Sequence, residues 1–338
     1  MDGVKDLKGI NGFRGMKGWF IYFIVIYHTF DGGGVLAQLF EPIKRYGGYF
    51  GNYIFFMMSG FLVEYSFSKV KVADRDFLTY IMKKLIRLWP LYAICNLIQL
   101  VTNIITEGEK LDVSRCIMVL LMQTGGAVTD EYPYVVPGWF LCTLFVCYVV
   151  NYFIHFICKD VSKKYIWCFF ILILWGLILE NRNFDFPFCY VHDGEGFLNF
   201  FMGCLLFELY HLVRKRKNII YILFAGLSLI IVTPFYRELL GDVRILFTFI
   251  ICPAVILLML EESIINSFFT CKLSAFLGNI SMSVYLLHTL TILTYFQEFG
   301  SYEVGYLIYL IVLIATATIT TWIMNHLKKD KFDYHIAT

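Results

Sequence analysis

Two histidines and three cations stand where the chain is otherwise apolar. Lys17 and His28 bracket "KGWFIYFIVIYH" (residues 17–28), whose interior holds only Gly, Trp, Phe, Ile, Tyr and Val. On a helix rising about 1.5 Å per residue they lie roughly 16 Å apart, near half a bilayer core. His288, in "SMSVYLLHT" (281–289), falls well inside a second apolar stretch. Ionisable groups at such depths are expensive and by default mark a pathway or a site. A single histidine on an apolar face is more often structural; two at similar depth, in different helices, favour function. An imidazole that titrates near neutrality can take a proton from a hydroxyl under attack, which acyl transfer to an alcohol needs. Lys84 and Arg87, three apart in "KKLIRLWPLY" (83–92), point from one face of a helix, with Pro90 expected in an early turn of the span. Two cations converging there suit a phosphorylated ligand, although positive-side anchoring with a snorkelling Arg87 and an interfacial Trp89 accounts for them equally well.

The elements that must hold these groups are membrane helices. Of the 338 residues 59% are hydrophobic and 16% charged, where a soluble domain averages about 45–50% and about 25%. The net charge of +2 gives no reason to expect a nucleic-acid partner. Apolar stretches at about 16–30, 46–67, 88–105, 137–158, 165–180, 196–212, 218–236, 244–260, 279–298 and 304–326 each approach the length a bilayer requires. The expected fold is therefore an all-α polytopic membrane protein of about ten transmembrane helices, a single membrane domain over residues 1–338. "CIMVLLMQTGGAV" (116–128) is short and Gly-rich, and reads as a re-entrant or short helix. With that piece not crossing, 21 of the 28 Lys and Arg residues fall on the side of the N-terminus, so both termini are expected in the cytoplasm. The first apolar segment lacks a small-residue cleavage site and reads as a retained helix.

Acidic residues collect in the outer stretches 106–134 and 180–196 and read as a solvated surface. The ten cysteines lie mostly inside apolar segments, form no CxxC pair, and read as small hydrophobes. Neither a metal nor a redox cofactor is expected. Ser59 and Gly60 in "FFMMSGFLVE" (55–64) read as a close helix approach.

Together these stretches resemble the acyltransferase 3 family of integral membrane proteins. Lys17 and His28 fit its basic-x10-His signature, and "FFMMSGFL" its F-F-x-L-S-G-F-L stretch. "KLIRLWPLY" is similar to R-x-x-R-I-x-P-x-Y, with Lys84 for the first Arg. "LSAFLGNISMSVYLLHTL" (273–290) is similar to L-G-x-x-S-Y-x-x-Y-L-x-H, and "PGWFLCTLFVCY" (137–148) to the W-x-L segment around Trp139. Leu144 occupies a position where many members carry Glu, so nothing inferred from that Glu transfers.

The resemblance implies a multi-pass enzyme of a bacterial plasma membrane that O-acetylates envelope polysaccharide or lipid-linked carbohydrate. Acyl-CoA, acetyl-CoA first among donors, would approach from the cytoplasm with its phosphates on Lys84, Arg87 and Lys17. His28 would act as general base. His288 and Tyr285 would line the same cavity, and Trp139 would contact the acceptor. A transporter or flippase for a glycolipid or acylated metabolite, without chemistry, is the other reading. Buried histidines and cations serve proton and anion paths too, but no inverted repeat is visible.

Overall fold

The computed structural model describes residues 8–30, 36–69, 76–126, 128–158, 161–181, 186–213, 243–260 and 264–334. Regular structure among the described residues is entirely helical. Along the first half run α1 (Gly12–Thr29), α2 (Leu36–Lys69), α3 (Phe77–Glu107), α4 (Val113–Leu120), α5 (Trp139–Ile157) and α6 (Val161–Asn181). The second half contains α7 (Val191–Val213), α8 (Cys252–Leu260), α9 (Ile264–Thr270), α10 (Lys272–Leu287) and α11 (Tyr302–Tyr334). A π-helical turn, Phe247–Ile251, leads into α8.

At the centre α1 packs between α2 and α10, α2 against α7, and α7 against α6. The α1–α10 seam is closed by glycine. A Cβ on Gly18 would stand 2.6 Å from the carbonyl carbon of Leu277, and one on Gly278 would stand 2.7 Å from that of Arg14. Carbon atoms ordinarily rest about 3.5–4.0 Å apart, so only glycine lets these backbones meet. Gly60 plays the part expected of it at the α2–α7 seam, where an added Cβ would stand 3.1 Å from the Cys204 nitrogen.

Ten spans are more than the structure supports. By length and composition, three helices among the described residues can cross a bilayer: Phe77–Glu107, Val136–Ile157 and Tyr302–Leu327. The apolar runs in α1 and α2 are long but diluted by Gly, Tyr, Asn and basic residues, so neither is a uniformly apolar cylinder. The expected span at 218–236 lies outside the described residues. That expected at 279–298 is broken: α10 and the helical piece Thr291–Glu298 meet at 104°. They make a fourth crossing only if taken as one bent span.

Side chains from two other helices hold that break. Leu290 is extended (φ −63°, ψ 123°), which ends the helical ladder. In α3, Gln99 accepts from the Thr291 N–H (3.1 Å) and donates to the Thr291 hydroxyl (2.8 Å). The Tyr309 hydroxyl of α11 donates to the His288 carbonyl at 2.7 Å, satisfying an acceptor the broken helix leaves over. His288 therefore sits at a corner, not midway along a rod.

α3 begins at Phe77, capped by Asp76, which accepts from the Thr79 N–H at 2.9 Å. Pro90 is thus interior and not in an early turn, and it deprives the Ile86 carbonyl of its helical partner. The stretch at 116–128 contains the end of the short α4, then turns with Met122 and Gly125 at positive φ. Asp112 caps α4. The hydrogen bond from the Ser114 hydroxyl, with the one from the Arg115 N–H, holds its carboxyl below the usual range.

Candidate active site

Five helices, α1, α2, α3, α5 and α10, line a cavity of about 320 Å³. Lys17 of α1, Lys84 and Arg87 of α3, Tyr148 of α5, and Ser281 and Tyr285 of α10 are on its wall. The three expected cations are thereby brought together from two helices. The Lys84 ammonium lies over the Tyr148 ring at 4.2 Å, a cation–π contact between two residues of the cavity wall. Among the described residues, no Asp or Glu lines the wall. A second hollow of about 600 Å³ shares Lys17, Leu62, Arg87, Ser281 and Met282 with the first, and adds Arg14. The two hollows together place Arg14, Lys17, Lys84 and Arg87 around adjoining spaces with an apolar flank, and Leu144 is part of that flank.

Neither histidine lines this cavity. Tyr285 alone of the residues expected near the acceptor does, and it forms the link. Its hydroxyl donates to the Pro137 carbonyl (2.7 Å), its ring meets Phe140 edge-on (centroids 5.4 Å), and its other side faces the His288 ring (6.0 Å). His288 is fully buried, and its Nδ1 lies 2.7 Å from the Tyr285 carbonyl oxygen. A carbonyl only accepts, so Nδ1 carries the hydrogen and Nε2 keeps its lone pair. Nε2 is buried and has no hydrogen-bond partner among the described residues. The His28 ring faces it, centroids 5.4 Å apart. His28 itself is exposed at the far end of α1, so it meets surroundings that Lys17 does not. The order from one end to the other is cations, Tyr285, His288, His28.

Trp139 lies away from the cavity wall. It is buried and stacks on His192 of α7 (centroids 4.2 Å, planes 24° apart). That ring's Nε2 lies 2.6 Å from the Tyr132 hydroxyl, and its Nδ1 lies 3.8 Å from Glu195 Oε2. Partial burial, then the carboxylates of Asp130 and Glu195, hold the Tyr132 phenol above its ordinary pKa. Glu195 and His192 were legible only as part of an acidic outer stretch; nothing in spacing ties them to Tyr132.

Glu64, at the end of the same stretch as Ser59 and Gly60, has a set of partners of its own. It is buried, with Lys164 Nζ at 2.7 Å, His155 Nε2 at 2.8 Å and Asn151 Nδ2 at 3.1 Å. This knot joins α2, α5 and α6.

A family model described as an acyltransferase domain matches residues 10–326. No curated protein and no solved structure matches the chain.

Proposed function

The chain belongs to the acyltransferase 3 family, and on that premise we propose that it moves an acetyl group from cytoplasmic acetyl-CoA to a hydroxyl of an extracytoplasmic or lipid-linked carbohydrate. Membership implies an acyltransferase, and its long apolar helices suit a multi-pass membrane protein. The ten-span arrangement with both termini inside is retained as the reading that puts the cations towards the cytoplasm.

The donor's phosphates bind Lys17, Lys84 and Arg87, and its acyl end lies against the apolar flank by Leu144 and Tyr285. The acceptor comes from the side that exposes His28. An imidazole nitrogen of His28 takes the hydroxyl proton as that oxygen attacks the thioester carbonyl carbon. The C–S bond then breaks, CoA leaves as a thiolate, and the proton on the imidazolium is returned to solvent or sulfur. His288 is a positioning residue: its tautomer is set by the Tyr285 carbonyl, and its ring fixes the aim of His28. Holding both reactants in line is worth several powers of ten in rate. Trp139 acts through His192 rather than on the cavity.

The observation that carries this reading is the juxtaposition of a carboxylate-free cationic cavity with a histidine pair across one tyrosine. The test is the full chain in proteoliposomes supplied with labelled acetyl-CoA and glycan acceptors. Label transferred to the acceptor is expected. Movement of unmodified glycan without any use of acetyl-CoA would replace the enzyme with a transporter.

A further inference from the structure

Beside His28 lies a group of side chains that the transfer chemistry above does not use. Tyr27 meets the His28 ring edge-on (4.9 Å) and continues to Tyr49 (6.4 Å), which in turn meets Tyr53 (6.1 Å). The Tyr53 hydroxyl donates to Glu195 Oε1 at 3.1 Å. The other oxygen, Oε2, lies 3.8 Å from His192 Nδ1, beyond hydrogen-bond reach. Tyr132 closes the set through His192. α1, α2, α7 and the loop before α5 each contribute.

Burial divides these residues into walls and a floor. Tyr27, Tyr49 and Tyr132 are 36%, 39% and 40% exposed, while Tyr53 is 1% and Glu195 6% exposed. A sheltered carboxylate needs more than one tyrosine bond to offset its lost hydration. The three exposed tyrosines stand about that buried carboxylate.

We propose that this tyrosine-rimmed carboxylate is the acceptor subsite and that it takes a neutral sugar ring. The ring's C–H face rests on Tyr27 and Tyr49, and one of its hydroxyls donates to Glu195 Oε2. Aromatic faces hold the apolar side of such a ring, and a carboxylate is the strong acceptor for its hydroxyls. A cationic guest would also suit tyrosines around a carboxylate. The neutral guest is favoured by the acyl-transfer reading, whose acceptor must bring a hydroxyl, and His192, 2.6 Å from the Tyr132 hydroxyl and 3.8 Å from Glu195 Oε2, adds a polar partner beside the carboxylate. Since Tyr27 adjoins His28 in the chain and in space, a ring seated there brings a hydroxyl to the proton acceptor.

The inference rests on the acyl-transfer reading, and one set of measurements separates the two. The full chain in lipid nanodiscs is examined by saturation-transfer NMR with methyl glycosides of glucose, galactose, mannose and rhamnose, and with tetramethylammonium chloride. Consumption of labelled acetyl-CoA is followed in parallel. At least one glycoside is expected to receive saturation. Its affinity is expected to fall about 10- to 100-fold in Glu195→Gln, the loss of one hydrogen bond to a charged group, and about 10-fold in the conservative Tyr132→Phe. Acetyl-CoA affinity is expected to hold in both. The proposal is overturned if no glycoside binds, if both variants bind as well as the parent, or if tetramethylammonium is the probe that binds. Failure of the parent to use acetyl-CoA overturns the enzyme reading instead.

Discussion

Gly278→Ala gives the sharpest check on how the two histidines are brought together. The added methyl would stand 2.7 Å from the Arg14 carbonyl carbon and 2.8 Å from the Arg14 Cγ. The backbone carbon cannot step aside as a flexible side chain can, so restoring ordinary contact of about 3.5 Å moves α10 from α1 by about 0.8 Å. His28 rides on α1 and His288 at the end of α10, so the displacement falls on their 5.4 Å pairing. A shift near 1 Å in reacting geometry costs about 100-fold in rate, or about 2.7 kcal/mol of transition-state stabilisation. The assay is kcat/KM for acetyl transfer in proteoliposomes, with thermal melting to report folding. Gly176→Ala is the matched control, because the nearest atom to its added carbon is Leu198 Cδ1 at 3.9 Å. If Gly278→Ala kept kcat/KM within about threefold of the parent, the claim that this seam positions the chemistry would be wrong.

Other outcomes follow from the same geometry. His28→Ala should lower kcat by 10²- to 10⁴-fold, the usual worth of a general base, with acetyl-CoA still bound; full turnover would remove it from the chemistry. Arg87→Ala should raise the KM for acetyl-CoA about tenfold and leave the acceptor KM alone, and equal losses on both would place Arg87 elsewhere. Glu64→Leu strands Lys164 and should destabilise the protein by about 3–5 kcal/mol, read as a lowered midpoint in denaturant; an unchanged midpoint would deny the knot any structural worth.

The parts of the site that share one helix could be read from spacing. Lys17 with His28, and Lys84 with Arg87, follow from helical geometry alone, and the cavity contains three of the four. Parts that depend on distant partners could not. The corner at His288 has no Gly or Pro to announce it; it exists because Gln99 and Tyr309 hold it from other helices. The partner of Glu64 is not visible in its own stretch because Lys164 is 100 residues away along the chain. Trp139 was found by its motif, yet the His192 stack depends on the loop at 121–138 and on α7. Span counting shares the difficulty: hydropathy sees apolar residues, but not whether they face lipid or another helix, and three helices among the described residues pass by length and composition, four with the bent pair.

The corner at His288 has one more implication. Its carbonyl is held by Tyr309, on a helix that has only 22% of its most apolar stretch covered by protein. A helix so widely bathed in lipid answers a thicker or thinner bilayer by tilting. The latch on the imidazole would swing with it, making membrane thickness a throttle on turnover that no soluble effector need touch.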